Sequence, residues 1–352
     1  MNTLPNCEKR SVKMKKISCL LALLLLIPTL FSCGGERRER HSVSFFDVFD
    51  TSVTLVAITE SQEVFDDAAK EVHETLLRLH RLFDIYHEAQ GVNNLYQVNL
   101  SAGIAPVKVE QDLFDLLSVG LEYAEKTGGR MNICMGAVLS LWHEAREDGT
   151  TLPEKGALQE AAKHIDYQNL ILDRENQTVF FADAEMKIDV GAIAKGYAGD
   201  IAAQTLEEKG IVSYAVDLGG NGVVRGYKEN GELWRVGIQD PTGEGLIKTV
   251  SVGGEDRTSV VTSGDYQRYY EVAGERYHHI ISYETLYPVN TFHSVTVIAS
   301  SSMIADALST SLFCLSAKEG ERLVKESGAE AFWIFADQTQ KESEGFFHAG
   351  NK

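Results

Sequence analysis

Proline is scarce in this chain: six of its 352 residues are proline, which excludes proline-rich arrays and, with 30 glycines, a collagen-like repeat. Basic residues are also in the minority, because 33 Lys and Arg stand against 51 Asp and Glu, giving a formal net charge of −18. A chain this acidic is a poor candidate for non-specific binding to nucleic-acid phosphates. No repeat of solenoid period is present. The sequence therefore indicates neither a fibrous protein nor a nucleic-acid coat.

Cysteine is rare in the part of the chain that is expected to fold. Of the five cysteines, Cys7 and Cys19 lie in an N-terminal leader and Cys33 directly follows it. Cys134 and Cys314 remain, both in apolar surroundings, and two such cysteines make neither a disulfide framework nor a zinc site. We interpret them as buried thiols.

The leader is the only long apolar segment. Lys13, Lys15 and Lys16 precede an apolar run from 17 to 30, which predicts an export signal over residues 1–32. The run is short for a membrane span, although an anchor helix is the alternative. Leu30-Phe31-Ser32-Cys33 resembles a bacterial lipobox, so we expect Cys33 to be lipidated and residues 33–42 to be a polar tether. The acyl chains would hold the exported protein at the extracytoplasmic face of the cell membrane. Met14 is an alternative start.

The remaining chain predicts one large domain. It is 44% hydrophobic and 24% charged overall, enough to bury a substantial core, and no linker divides residues 43–345. Helical spacing predicts helices over 65–86, 112–126, about 192–209, 303–315 and 318–327. Strands are predicted over 43–59, 169–172, 178–181, 187–190, parts of 212–261, 294–299 and from 331. Because strands and helices mix without a regular βαβ rhythm, the fold class is α+β, with two lobes as an alternative arrangement.

A phosphate-binding turn is one interpretation of residues 189–196, which read DVGAIAKG. A strand ending in Asp189 is followed by small residues and a helix start, where free N–H groups and the positive dipole end suit phosphate. Lys195 adds a mobile cation. A tight turn whose glycines serve packing alone is an equally good reading, because short glycine motifs are weak signals.

A second candidate lies on the helix predicted after residue 303. Met303, Asp306 and Thr310 share one helix face, so a carboxylate and a hydroxyl stand side by side. Such hard oxygen ligands suit Mg²⁺ better than zinc. On spacing alone, an ordinary helix with Asp306 near its positive dipole end is favoured.

Two adjacent histidines form a third candidate. His278 and His279 point in opposite directions if they lie on a strand, so at most one faces a given site. A histidine can accept a proton near neutral pH, although a lone histidine is more often structural. Aromatic side chains that could stack on a planar ring are also more often packing residues: Tyr86, Trp234, Tyr266 and Tyr269.

Taken in order, these segments resemble the FAD:protein FMN transferase (ApbE-type) family. The resembling segments span about residues 46–346: GGRMN at 128–132, LW at 141–142, DVGAIAKGYA at 189–198, DLGGNG at 217–222, WRVGIQDP at 234–241, TSGDYQRY at 262–269, HHII at 278–281, SVTV at 294–297 and ADALST at 305–310. Each is weak alone, and their order and spacing are specific. The resemblance implies an α+β domain over residues 43–346, followed by a tail over 347–352.

The resemblance also implies an activity. Family members are Mg²⁺-dependent enzymes that transfer FMN from FAD to a threonine or serine hydroxyl of an acceptor protein and release AMP. Their acceptors are exported or membrane-associated electron-transfer proteins. Two alternatives remain: an Mg²⁺-dependent FAD pyrophosphatase, in which water replaces the hydroxyl, and a non-catalytic flavin-binding lipoprotein.

The family's motifs, matched to this sequence, imply residues that bind the metal and residues that contact FAD. The metal would lie on Asp306, Thr310 and the backbone oxygen of Ala192, with help from the carbonyl of Met303. FAD would contact Phe49, Tyr86, Arg130, Met131, Asn132, Asp189, Lys195, His279 and Ile280. His279 is the candidate for accepting the proton of the incoming hydroxyl.

The chain departs from the family pattern in two places. Where many members read HIIDPxTGxP, this chain reads HIISYETLYP, so Ser282, Tyr283 and Leu286 replace the acid, the proline and the glycine. Asp50 replaces the glycine of the usual Gly-Thr start. If the missing acid is catalytic, activity is reduced; if it shapes a turn, little changes.

Overall fold

The computed structural model describes residues 38–346. The predicted signal peptide, the lipidated Cys33 and the predicted tail lie outside these residues and stay predictions. The first strand begins at Glu39, so residues 39–42, predicted as the end of the tether, form the start of a strand instead. From Glu39 onward the chain forms one compact unit, as predicted, and an arrangement in two lobes is not confirmed. Within the described range, no helix combines the length and apolar character needed to cross a bilayer.

Strands supply most of the framework. In chain order they are β1 (Glu39–Val48), β2 (Thr51–Thr59), β3 (Val107–Lys108), β4 (Leu170–Asp173), β5 (Thr178–Phe181), β6 (Tyr214–Leu218), β7 (Asn221–Gly226), β8 (Trp234–Gln239), β9 (Leu246–Val252), β10 (Gly254–Gly264), β11 (Tyr269–Val272), β12 (Glu275–His278), β13 (Phe292–Ala299), β14 (Glu330–Phe335) and β15 (Gln340–Glu342). Eight of them form an antiparallel central sheet in the order β1-β2-β6-β7-β10-β13-β14-β15. The others pair as β3-β5-β4, β8-β9 and β11-β12.

The helices are α1 (Gln62–Phe83), α2 (Leu95–Leu100), α3 (Gln111–Thr127), α4 (Gly136–Asp148), α5 (Lys155–Ala161), α6 (Ala194–Glu208), α7 (Ser302–Cys314) and α8 (Ala317–Ser327). The amphipathic spacing predicted α1 correctly: Ser61 caps its first turn through the Val64 amide, and Val72, Leu76 and Leu79 are fully buried. Gly128 ends α3 in the left-handed conformation, as its position after the last apolar residue predicted.

Both faces of the central sheet are buried, because apolar side chains point alternately to one face and the other along its strands. Along β2, Val53 and Leu55 contribute to the main core with α1, α6 and α7, whereas Val56 and Ile58 face the opposite side. On that opposite side the β8–β9 hairpin packs on the sheet through Trp234, and its other buried members are Ile238, Val250 and Val252. The site-bearing helices α6 and α7 thus lie on one face of the sheet and the hairpin on the other.

Two local predictions were wrong or incomplete. The strand predicted over 187–190 is not formed; one bridge joins Met135 and Lys187, and Asn99 pairs through its side chain with both backbone groups of Ile188. A side chain therefore replaces the neighbouring strand. The helix α4 was not predicted, although its buried residues Val138, Trp142 and Ala145 follow the spacing of one helix face.

Candidate functional site

The site is built where α6 crosses α7. The Gly196 amide, in the first turn of α6, donates a 2.8 Å hydrogen bond to Oδ2 of Asp306 on α7. A Cβ added to Gly196 would lie 2.5 Å from both the Asp306 Cβ and the Ser302 carbonyl oxygen. Asp306 is 3% exposed and caps the neighbouring helix rather than its own. The glycine of this segment therefore brings the carboxylate into contact with the turn that precedes α6.

Asp200, one turn further along α6, holds the start of α7. Its carboxylate accepts hydrogen bonds from Ser301 Oγ at 2.6 Å, the Ser302 amide at 2.9 Å and the Met303 amide at 3.0 Å. The two amides are among the groups that a helix N-terminus leaves without intrahelical partners, and the hydroxyl belongs to the capping residue. Sequence reasoning missed Asp200, although its spacing of four residues from Gly196 places both on one helix face.

A polar cluster surrounds Asp306. Ser263 Oγ lies 3.3 Å from Thr310 Oγ1 and 2.8 Å from Ser309 Oγ, which joins β10 to α7. Burial raises the pKa of Asp306, while the Lys195 ammonium and the Asn221 amide act in the opposite direction. The Asn221 Nδ2 is buried and makes no hydrogen bond of good geometry, so it faces the carboxylate without satisfying it. A cation beside Asp306 would relieve this strain on the ionised form.

The donor set beside Asp306 fits a hard divalent cation. Among residues 38–346 no group of three or more His, Cys, Asp or Glu is arranged to hold a metal ion. Asp306 and Thr310 offer a carboxylate and a hydroxyl, and Ala192 and Met303, both half-buried, flank the α6–α7 contact and carry backbone carbonyls. Oxygen ligands from so few carboxylates are typical of Mg²⁺, which keeps part of its water shell.

The turn before α6 presents backbone donors. Asp189 Oδ1 accepts the Gly191 amide at 2.8 Å, and the amides of Ile193 and Ala194 bond to the Val190 carbonyl. In the described part of the chain the amides of Ala192 and Lys195 make no hydrogen bond. The positive end of α6, two open amides and the Lys195 ammonium together suit an anion.

Asp189 lies at the edge of the same turn and is half-buried. Burial raises the pKa of its carboxyl, and the charges of His143, Arg268 and Arg146 oppose that rise. Tyr86, 52% exposed, faces the same carboxylate, and its ring centroid lies 5.0 Å from that of His143. An aromatic pair beside the two arginines can hold a planar ring next to phosphates.

His279 has a fixed orientation. Both its backbone amide and its Nδ1 lie close to the Arg268 carbonyl, at 3.1 and 3.2 Å. Because a carbonyl only accepts, Nδ1 carries the proton and Nε2 keeps its lone pair. Burial, with the positive charges of Arg268 and Lys195, lowers the pKa of His279 to about 3. The imidazole is therefore neutral with its lone pair on Nε2, and the burial and positive charges that lower its pKa also make that nitrogen a weaker base.

Phe49 lies in the turn of the β1–β2 hairpin. Phe49 and Asp50 have φ of 54° and 50°, a pair of left-handed residues that usually requires Asn or Gly. The Phe49 amide donates to His80 Nδ1 at 3.2 Å, and its ring contacts the rings of His80 and Phe83. Burial raises the pKa of Tyr86, and the negative charge of Asp50 adds to that rise, so this turn borders the same site.

Four predicted FAD contacts are engaged in contacts of their own. Arg130 Nε donates to Glu284 at 2.7 Å, and the side chains of Met131 and Ile280 are buried in the main core. Asn132 Nδ2 donates to the Ile165 carbonyl at 2.8 Å, which fastens the turn after α3. Their contacts with FAD stay predictions.

The segment that departs from the family pattern forms a tight turn. Ser282 Oγ accepts the amides of Glu284 and Thr285 at 3.2 and 3.1 Å, the role that a carboxylate often has in such a turn. Leu286, at the family's glycine position, has a φ of 62°. Serine thus preserves the turn without the acid, and the effect on activity stays open.

Sequence reasoning missed three basic residues of the site: His143 and Arg146 on α4, and Arg268. Arg146 and His143 are joined by a 2.9 Å contact between Nη2 and Nδ1. All three lie close enough to Asp189 for their positive charges to lower the pKa of its carboxyl. The arginine in TSGDYQRY was the one signal available, since a charged residue beside a glycine turn suggests a ligand.

Comparisons with known proteins show the family to which the chain belongs. The sequence profile of the ApbE family matches residues 49–333. A FAD:protein FMN transferase of Treponema pallidum is 35% identical over 349 residues, which is 94% of this chain and 95% of that protein. A protein of the same name from Haemophilus influenzae is 30% identical, covering 91% of this chain and 93% of its own.

Solved structures show the same fold. The ApbE protein of Thermotoga maritima superimposes with a TM-score of 0.80 at 29% identity, covering 89% of this chain and 100% of its own. The flavin transferase ApbE of Vibrio cholerae gives a TM-score of 0.76 at 24% identity, covering 88% of this chain and 98% of its own. The α+β fold predicted from the sequence is confirmed.

Proposed function

The chain belongs to the ApbE family, and we propose that this FAD:protein FMN transferase uses Mg²⁺ to move FMN from FAD to a threonine or serine hydroxyl of an acceptor protein. AMP leaves in the reaction. The observation that supports this most is the contact of Asp306 with the α6 start through the Gly196 amide. This contact supports a cation site with oxygen ligands beside an anion site, the arrangement that cleavage of a pyrophosphate requires.

We assign two roles to residues of this chain: some bind FAD, and one accepts the proton of the attacking hydroxyl. The open amides of Ala192 and Lys195, with the Lys195 ammonium, bind the phosphate that stays with FMN. Tyr86 and His143 hold a ring of FAD at the edge of the turn. His279 Nε2 accepts the proton of the attacking hydroxyl, because its Nδ1 is held by the Arg268 carbonyl.

Mg²⁺ bound to Asp306 and Thr310, with the carbonyls of Ala192 and Met303, would neutralise charge on the pyrophosphate oxygens and on departing AMP. Ser263 orients the Thr310 hydroxyl and the Gly196 amide holds Asp306, while Asn221 Nδ2 faces the carboxylate. No histidine or cysteine is needed in such a site, in line with the ligand preference of Mg²⁺.

The cellular setting is also a proposal. The leader and Cys33 support export and lipid anchoring, so that the enzyme acts at the extracytoplasmic face of the membrane. Its acceptor would then be an exported or membrane-bound electron-transfer protein. Replacing Cys33 by serine should release the exported protein from membranes, as immunoblots of cell fractions would reveal.

The activity is tested with purified protein, FAD, MgCl₂ and an exported electron-transfer domain as acceptor. Mass spectrometry should find an adduct of FMN size on the acceptor, absent when EDTA is added. Asp306→Asn keeps the side-chain shape and an acceptor for the Gly196 amide, and should abolish attachment. Asp66→Ala, an exposed change on α1, serves as the control and should leave the rate unchanged. Full activity of Asp306→Asn would refute the metal assignment.

One alternative keeps the site and changes the nucleophile. The turn at Ser282 lacks the family's acid, and if that acid orients the acceptor, water would take the hydroxyl's place. The protein would then be an FAD pyrophosphatase that releases free FMN and AMP. Chromatography of the products with and without acceptor distinguishes the two, because only the transferase shifts flavin from the free to the bound fraction.

A further inference from the structure

A groove of about 610 Å³ lies on the face of the central sheet opposite α6 and α7. Its floor consists of side chains from β2, β6 and β7, namely Thr54, Val56, Ala215 and Val224. One wall is β8, through Arg235, Val236, Gly237 and Gln239. The β8–β9 hairpin packs on this sheet face through Trp234, Ile238, Val250 and Val252, and the floor residues Val56 and Ala215 lie half-buried beside that packing, where the groove opens.

The wall along β8 has an unused backbone edge. β8 pairs with β9 on one side, and within residues 38–346 its backbone makes no hydrogen bond on the other side. Such an edge can accept another strand, which gains main-chain hydrogen bonds while alternate side chains enter pockets. The hairpin thus offers a position for a third strand above the open floor.

The groove ends at the candidate active site. Gly220 and Thr262 line its end and are joined by a 3.2 Å bond from the Thr262 amide to the Gly220 carbonyl. The next residue on each strand points through the sheet to the other face: Asn221 faces Asp306, and Ser263 contacts Thr310. Gly220 lies in the turn between β6 and β7, at the end of the sheet, so a segment that leaves the groove there passes around this turn to the face that carries the cation site.

We propose that an extended segment of the acceptor protein binds in this groove as a third strand on β8, and that the hydroxyl residue follows it past Gly220. This inference rests on the proposed function, because it assigns a place to that reaction's second substrate. We identify the occupant as the acceptor segment because the groove reaches the candidate active site and because of the residues that line the groove. Gly245, a lining residue with no atom within 4 Å of the place where a Cβ would be, lets a backbone approach closely. The floor of Val56 and Ala215 selects small apolar side chains at alternate positions of the segment.

Ala215→Phe tests the groove. Ala215 is half-buried and its side chain points into the open volume, so phenylalanine fills the floor without entering the core behind the sheet. The KM for the acceptor domain should rise about ten-fold, because the phenylalanine ring occupies the space that the acceptor segment would fill. FAD affinity, measured by fluorescence quenching, should not change. Ala105→Phe, on an exposed loop before β3, is the matched control and should behave as the unaltered protein.

Hydrogen exchange gives a second measurement that does not depend on catalysis. The same acceptor domain, added to the full chain without FAD, should slow exchange of the amides of β8, and Ala215→Phe should remove that protection. Protection without flavin attachment would support the groove and contradict the proposed function. Attachment by Ala215→Phe with an unchanged KM, or absence of β8 protection in the unaltered protein, would overturn the groove.

Discussion

Replacing Gly196 by alanine perturbs the contact on which the site depends. The new Cβ would lie 2.5 Å from the Asp306 Cβ and the Ser302 carbonyl oxygen and 2.9 Å from the Met303 Cα. These atoms belong to backbone or to its first side-chain carbon, so no flexible side chain can move aside. Relative to an ordinary contact of about 3.5 Å, α6 and α7 must separate by about 1 Å.

That separation has two consequences of different size. Overpacking of this kind costs about 1–3 kcal/mol of unfolding free energy. The bond from the Gly196 amide to Asp306 Oδ2, now 2.8 Å, lengthens beyond hydrogen-bonding range. A misplacement of about 1 Å at a reacting site lowers the rate by about 100-fold. We therefore expect a variant that still folds and has lost most of its activity.

Urea unfolding followed by tryptophan fluorescence measures the first effect, and the rate of FMN attachment under saturating FAD measures the second. Gly156→Ala is the matched control: its new Cβ would meet only the flexible carboxylate of Glu154 on α5, at 3.0 Å. A helical glycine replaced by alanine in open surroundings gains about 0.5–1 kcal/mol. If Gly196→Ala were as stable and as active as the unaltered protein, the close contact of α6 with α7 would not hold the site.

Three further outcomes are expected. Asp200→Asn removes one of the two carboxylate oxygens that hold the start of α7, and should lower the unfolding free energy by about 1–2 kcal/mol in urea titrations; an unchanged midpoint would show that α7 needs no such cap. Asp50→Gly relieves a left-handed aspartate with a φ of 50° and should raise the thermal midpoint, for a gain of about 0.5–1 kcal/mol; a lower midpoint would contradict the turn geometry. Burial lowers the pKa of His278, whose Nε2 donates to the Val289 carbonyl at 2.6 Å and whose Nδ1 accepts the Ile280 amide. Because the unfolded state binds the extra proton, stability is complete above the unfolded pKa of about 6.5 and falls as the pH drops below it; His278→Gln should flatten this dependence in urea titrations between about pH 7 and pH 5.

Particular segments show how far the sequence reaches into the site. The spacing of Val72, Leu76 and Leu79 fixed α1 because burial of one helix face is a local pattern. Asp306 and Thr310 were placed on one helix face for the same reason. In contrast, the partner of Asp306 is the Gly196 amide, 110 residues away in the chain, and no periodicity encodes that distance.

Local patterns also misled at one position. Residues 187–190 alternate like a strand, and the structure gives them the Asn99 side chain and the Ile133 carbonyl as hydrogen-bond partners instead of a neighbouring strand. Each buried backbone N–H or C=O group needs a hydrogen-bond partner, but the sequence does not show which group supplies it. The same holds for His279, whose tautomer is set by a carbonyl at residue 268.

The amino-acid sequence by itself determined the family, the α+β class, most helices and the residue types of the site, because these follow from motif order and from periods of two and 3.6 residues. Only the tertiary structure decided which groups meet. It joined Gly196 to Asp306, brought Arg146 and Arg268 to Asp189, and left the outer edge of β8 without a neighbouring strand among residues 38–346. The reason is physical: contacts between residues far apart in the chain depend on how the layers pack, and packing is satisfied by volume and hydrogen bonding across the whole core rather than by any one segment.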